Sequence, residues 1–287
     1  MPISQLALAL TVPLLWGLGF VFAKAGLSEF PPLLLMGMRF TLTAMLLLPF
    51  VKIPRGHLLW IAALAFVGST IQYGLTFTGL RDMDASLAII VVQLEVPFAV
   101  IMGALIFREH VGWQKIVGIL LAFGGVALIA GMPETQTEVW PALLVVGGAL
   151  TWAIGQIMVK QLNNAVDGFT LIAWVGLFAG PQMLLASLLF EQGQWQALQS
   201  ATWIGWSTVI YLAVMMTALG YSIWFHVLNH NPVTQVMPVL LLLPVVGVVG
   251  SIFILGEEPG QWTLVGGFVV IVGVALIIFS RERRGES

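Results

Sequence analysis

The chain has 287 residues, of which 59% are hydrophobic and 8% charged, where a soluble globular domain carries roughly 25% charged residues. A mean hydropathy of +1.01 excludes a water-soluble enzyme, and a net charge of −2 excludes the clustered basic footprint that nucleic-acid binding needs. There is no cysteine, which removes disulfides, thiol nucleophiles and Cys-ligated metals.

A hydrocarbon core of ~30 Å takes ~20 apolar residues at 1.5 Å rise. Cutting the chain at its polar and Pro/Gly-rich breaks predicts ten spans, at about 4–24, 32–51, 58–80, 85–107, 113–131, 139–159, 168–190, 203–228, 233–255 and 261–280. The first could pass for a secretory signal, since Ala23-Lys24-Ala25 has a small-x-small pattern. No Lys or Arg precedes it within the first 20 residues, so the basic n-region is missing and the segment reads as a retained span. Transmembrane β-strands alternate over ~10 residues, whereas these runs are continuous and rich in Leu, Ala, Gly and Val. The expected fold is an all-α integral membrane protein of ten transmembrane helices.

An even number of spans leaves both termini on one side. Placing Arg281, Arg283 and Arg284 in the cytoplasm puts Lys52, Arg55, Arg108, Lys115 and Lys160 there too. The far side keeps Lys24 and Arg81, while Arg39 lies within a span. That asymmetry predicts cytoplasmic termini. The far-side loops hold Glu29, Asp82, Asp84, Glu134, Glu138, Glu191, Glu257 and Glu258.

The chain also resembles itself. Trp16, Gly19 and Lys24 precede Trp152, Gly155 and Lys160 by 136 residues. Further along the offset is 148, pairing Tyr73 with Tyr221, Glu109 with Glu257, Gly118 with Gly266, and Gly125-Val-Ala-Leu-Ile129 with Gly273-Val-Ala-Leu-Ile277. The growing offset locates about 12 additional residues in the Glu191–Trp203 loop. Each half, 1–132 and 139–281, would hold five spans, with 282–287 a cytoplasmic tail. Five is odd, so the second copy enters the membrane inverted, and inverted repeats place a central site at the midplane between the halves.

Trp16-Gly17, Arg39, Pro97 followed by Glu109 and Gly118, Trp152, and Pro244 followed by Gly256-Glu257 and Gly266 together resemble the drug/metabolite transporter superfamily, in its ten-span EamA-type branch. The resemblance covers essentially the whole chain. It implies an inner-membrane exporter of amino acids or related metabolites, aromatic amino acids in some branches. Arg39 lies ~10 Å below Pro32 in the second span and could meet a substrate carboxylate or snorkel to the far-side interface; because the resemblance includes an arginine there regardless of substrate, a structural or gating role is expected, as for Pro97 and Pro244.

Glu95 is the most informative residue. Counted from Asp84 it lies ~16 Å into the fourth span, about half the hydrocarbon thickness. An ionised carboxylate at that depth is costly unless it is paired or faces a wet cavity. It is expected to line the cavity, gripping a substrate ammonium or taking up a proton; the structural alternative pairs it with Arg39 or caps it with Gln93. Pro97 should loosen the helix near Gln93, whose carbonyl loses its usual partner. Trp152 with Gln156, Tyr221 and Trp224 with Thr217, Gln72 and Tyr73 with Thr76, and Trp16 are the further candidate cavity residues, aromatic walls with few polar groups. Lys24 and Lys160 read as interfacial anchors, and Trp60, Trp113, Trp140, Trp195, Trp203 and Trp262 as belt residues.

His226 and His230 have ligand spacing without a third ligand, and the glycine-rich faces at Gly176–Gly180 and Gly266-Gly267 read as helix packing. No P-loop is present, so a transported solute would move on its own or an ion gradient. No cofactor, metal or nucleic acid is implied. The expected partners are a small-molecule substrate and the lipid bilayer, and a monomer is sufficient. The leading expectation is a secondary exporter of amino acids or small metabolites, the alternative an exporter of hydrophobic or cationic drugs.

Overall fold

The structure is a computed structural model that describes residues 2–107, 111–131, 139–162, 165–231 and 236–280. Arg108, Glu109, Glu134, Glu138, Arg281, Arg283, Arg284 and the 282–287 tail lie outside the described residues. Within them are ten helices long and apolar enough to cross a membrane: α1 Ile3–Leu27, α2 Pro32–Phe50, α3 Leu58–Arg81, α4 Ala85–Phe107, α5 Trp113–Ala130, α6 Val139–Gln161, α7 Gly168–Phe190, α8 Trp203–Leu228, α9 Met237–Leu255 and α10 Gln261–Phe279. The protein is an all-helical, multi-pass membrane protein.

Lipid tails are as apolar as leucine side chains, so helices in a bilayer associate by close van der Waals fit at small residues. The seam between α5 and α10 is the clearest case. A Cβ on Gly118 would sit 2.5 Å from the Gly273 carbonyl oxygen, and one on Gly125 would sit 2.7 Å from that of Gly266. Residue numbers rise on one helix as they fall on the other, so the two run antiparallel. The same holds for α2 and α7, where Gly37 meets Leu184, Thr41 meets Gly180 and Ala44 meets Gly176. It holds again for α4 and α9, where Ile89 faces Gly247 and Ala85 faces Glu257. Packing partnerships correspond between the halves: α1 lies on α8 and α9, as α6 lies on α3 and α4.

Five of the ten spans depart from α-helical bonding, α2 only in its last turn, Leu48–Phe50. In α3 the stretch Phe66–Ile71 is a π-helix, and in α8 so is Tyr211–Leu219. The offset of 148 brings Phe66–Ile71 onto 214–219, inside the second stretch. The other two, α4 and α9, change course at matching places. Helical bonding in α4 stops at Val92 and resumes at Glu95, and α9 passes from a 3₁₀ turn, Met237–Leu241, into an α-helix at Leu242. Pro97 has no N–H to offer the Gln93 carbonyl. That carbonyl does not go unpaired, because the Val96 amide donates to it at 3.2 Å in a tighter turn.

At the end of the bundle that carries the turns 28–31 and 82–84, carboxylates hold helix N-termini, where unpaired amides and the helix dipole attract negative charge. Glu257 accepts from the Ala85 and Ser86 amides at 2.6 and 3.0 Å, at the start of α4. Glu191 accepts from Leu33 and Leu34 at 2.8 and 3.1 Å, at the start of α2. Glu29 accepts from the amide and hydroxyl of Thr202, both at 2.6 Å, just before α8. Each clamp crosses from one half to the other. The additional residues of the second half form a short helix, Gln194–Ser200, entered through Gly193 at φ +79°.

Lys24 joins this end in a role the anchor reading missed. Its Nζ donates to the carbonyl oxygens of Leu80, Arg81 and Met83 at 3.0, 2.8 and 2.9 Å, tying down the last turn of α3 and the turn that follows. An interfacial anchor would instead reach toward headgroups. Desolvation pushes the nearby Asp84 carboxyl above its usual range; Glu257 adds to the shift and Lys24 opposes it. On the other half Lys160 lies 4.0 Å from the centre of the Phe107 ring, again near the end of a neighbouring span.

Two outcomes are expected from this packing. Gly118→Val should lower unfolding stability in mixed micelles by about 1–3 kcal/mol, the cost of overpacking a seam made of backbone. Gly124→Ala should not, because nothing lies within 4 Å of a Cβ there. In this cysteine-free chain, Arg55→Cys should react with an impermeant maleimide only after cells are opened, whereas Gln196→Cys should react in intact cells. The reverse pattern would invert the assigned orientation.

Candidate functional site

Midway along the bundle α1, α2, α3 and α8 bring a cation and a set of rings together. Arg39 is completely buried, at 0% exposure. Its Nε donates to Thr217 Oγ1 at 2.9 Å, and its guanidinium carbon lies 4.7 Å from the Tyr73 ring centre and 5.1 Å from that of Phe40. The π-helix of α8 makes the first of these contacts available. In that wider turn Thr217 Oγ1 donates to the Leu212 carbonyl, five residues back, at 2.7 Å, which leaves its lone pairs to receive Arg39. The second-span arginine therefore does not snorkel to the far-side interface. It is held inward by a hydroxyl and two ring faces, contacts whose strength grows when water is excluded.

The other end of the same guanidinium is poorly served. Among the described residues Nη1 has only the Met36 thioether, at 3.7 Å, and Nη2 has no hydrogen-bond partner. The sole ion pair among the described residues is Arg81 with Asp82, at 3.8 Å. The alternative in which Glu95 neutralises Arg39 is thereby overturned. Glu95, at the first turn after the break in α4, makes no hydrogen bond to any described residue. It lies deep among protein atoms while part of its surface stays uncovered.

Tyr221 lies within electrostatic reach of Arg39, Glu95 and Tyr73. Its ring packs 4.9 Å from Trp16, whose Nε1 donates to the Met216 carbonyl at 3.0 Å, again in the π-helix. On the other side Tyr73 contacts Phe40 at 5.1 Å and Phe77 at 5.6 Å, and Phe77 contacts Phe20 at 5.8 Å. Trp16, Tyr73 and Tyr221 are all only partly covered, while Phe20, Phe40 and Phe77 are buried behind them. Phe20, Phe40 and Phe77 were not among the sequence candidates. Their one sequence signal is spacing, since Phe77 follows Tyr73 and Phe20 follows Trp16 by one turn.

The remaining candidates divide. Gln93 is half-buried next to Glu95, its amide 3.5 Å from the Ile89 carbonyl. Gln72 is buried and donates to Thr76 Oγ1 at 3.3 Å, with its Oε1 unpartnered. Trp152 is half-buried on the face of α6 that carries Gly148 and Gly155 against α3. It does not repeat the contact of its counterpart: Trp16 packs on Tyr221 with the rings tilted by 48°, whereas Trp152 makes no ring contact with Tyr73. Gln156 is exposed. Trp224 belongs to a packing cluster with Ala9, Val12 and Val239, 5.7 Å behind Trp16. Pro97 and Pro244 are buried in α4 and α9, the latter beside the Leu243–Val246 turn on which Gly17 packs. His226 and His230 stack at 4.3 Å, and His230 Nδ1 is 2.7 Å from the His226 carbonyl.

A separate polar cleft of about 440 Å³ opens at the clamped end, lined by Glu29, Arg81, Gln192, Gln196 and Ser200 among others. Its one acidic residue is already engaged by Thr202.

Comparison with known proteins supplies the family. The sequence profile of the EamA-like transporter family matches residues 3–131 and again residues 139–279. Over 287 residues the chain is 34% identical to a protein of Salmonella typhimurium described as a probable amino-acid metabolite efflux pump, covering 96% of each. It is 30% identical over 286 residues to a protein of Escherichia coli with the same description, covering 96% of this chain and 95% of that one. A solved crystal structure aligns with a TM-score of 0.67 at 18% identity over 96% of each chain, a likeness of fold alone. The chain belongs to the EamA-like transporter family.

Proposed function

We propose that this protein is a secondary exporter of amino acids or closely related small metabolites, set in the cytoplasmic membrane with both termini inside. Substrate binds between the halves, against Glu95, Gln93, Tyr73, Tyr221 and Trp16, and passes by alternating access. The observation that carries this reading is Glu95: a carboxylate near the middle of the bilayer, beside aromatic walls, partly uncovered and bonded to no described residue. Ionisable groups at that depth are kept where they contact a solute or an ion. The descriptions of the Salmonella and Escherichia relatives support export of amino-acid metabolites.

The matching irregular turns in α3 and α8, and the breaks in α4 and α9, support the alternating-access part. Discontinuous spans at corresponding positions of two halves are the usual pointer to a transport site, and π-turns recur at functional positions. The clamps made by Glu29, Glu191 and Glu257 act as the outer gate, because each must release when the halves part on that side.

Counterflow in proteoliposomes tests the substrate class, and Glu95→Gln should abolish saturable flux at unchanged abundance. Full activity in that variant would remove Glu95 from the site. For the gate, Glu257→Ala should raise the labelling rate of Ser86→Cys from the outside roughly tenfold or more, since losing charge-assisted bonds costs about 1.5–3 kcal/mol. Ser86 is 1% exposed beneath that clamp, and an unchanged rate would show that the contact does not gate.

A further inference from the structure

Arg39 was expected to serve structure or gating, and its surroundings argue for more. A guanidinium is a planar fork whose two terminal nitrogens match the two oxygens of a carboxylate. Here Nε is occupied by Thr217 Oγ1, and Tyr73 and Phe40 hold the ring-facing sides. What remains is the terminal edge, with Nη1 against a thioether and Nη2 without a hydrogen-bond partner among the described residues. Sulfur is a weak acceptor, and an unmet donor on a buried cation is among the most costly features a folded chain can retain. If Arg39 only held helices together, a protein carboxylate at that edge would serve better, and Glu95 is available in the same region. The chain keeps the two charges apart, with Tyr221 in electrostatic reach of both.

We infer that the terminal edge of Arg39 is a carboxylate subsite, and that the transported solute is a zwitterion whose carboxylate meets Arg39 while its ammonium meets Glu95. This rests on the exporter reading above and narrows it: both charges of an α-amino acid are needed. Amines and quaternary cations, which have nothing to offer Arg39, are excluded. Because Arg39 is fully covered, the solute reaches that edge by displacing the Met36 thioether rather than by entering an open channel. A single α-amino acid satisfies at once the donor left over on α2 and the carboxylate left over on α4.

Proteoliposomes holding the full chain are tested with phenylalanine, leucine and serine, each beside its primary amide and its decarboxylated amine. The expected result is saturable counterflow for at least one amino acid, with its amide and amine slower by at least about tenfold, the range for losing a hydrogen bond to a charged group. Arg39→Gln should slow the acid by a similar factor and bring acid and amide to comparable rates. Arg39→Lys, which keeps the charge and loses the fork, should fall between. Comparable rates for acid, amide and amine in the unaltered protein would overturn the carboxylate subsite while leaving the exporter reading in place, and that comparison needs no variant to fold. An unchanged acid-to-amide ratio in folded Arg39→Gln would overturn it too. No flux for any of the three classes would remove the exporter reading and this inference together.

Discussion

Hydrocarbon offers no hydrogen-bond partner, so every donor and acceptor released from a helical ladder inside the membrane must be met by another part of the same chain. This constraint decides which irregularities the bundle tolerates. The Gln93 carbonyl, stripped of its usual donor by Pro97, is recovered by Val96. The widened turn of α8 receives Trp16 Nε1 on the Met216 carbonyl and lets Thr217 serve both Leu212 and Arg39. Among the described residues the buried side-chain atoms left unmet are Arg39 Nη2, Gln72 Oε1, Thr41 Oγ1 and Ser86 Oγ, and of these Arg39 carries a charge.

The contrast between the two ends of the bundle follows from the same accounting. At the clamped end, glutamates placed just outside the spans meet amides at the first turns of α2, α4 and α8, and Lys24 meets carbonyls at the last turn of α3. These contacts lie near the membrane surface, where water can replace either partner as the contact breaks. Breaking one there therefore costs less than it would in the hydrocarbon interior. The glycine seams have no such exchange available. Between α5 and α10 the backbones at Gly118, Gly125, Gly266 and Gly273 meet directly, with Ile129, Val270 and Ile277 packed around them.

Much of this was legible in the sequence because span length and hydrophobic continuity are set by membrane thickness. The starts and ends of α1 to α10 fall within a few residues of the predicted boundaries. Glu95 stood out because any carboxylate at that depth does, and Trp16, Tyr73 and Tyr221 because their spacing put them on inward faces. Lys24 was misjudged because its three carbonyl partners come from a turn about 56–59 residues away, a contact that local pattern cannot encode. Glu29 and Glu191 appeared only as loop charges, and Glu257 as a repeated motif residue without a partner, since the targets of all three include backbone amides. Arg39 was read as structural because its contacts with Thr217 and Tyr73 depend on how α2, α3 and α8 meet. Gln156 and Trp224 shared the expected spacing but turned to the surface and to a packing cluster.

The two copies of the sequence motif are alike in residues and unlike in shape. Trp16 rests on Tyr221, while Trp152 and Tyr73, their counterparts, stand apart. In the exporter proposed above, exchanging the two shapes between the halves would supply the second arrangement that alternating access needs. The direction of flow in such a protein would be set by the gradient of the solute or of a coupled ion, and not by the scaffold.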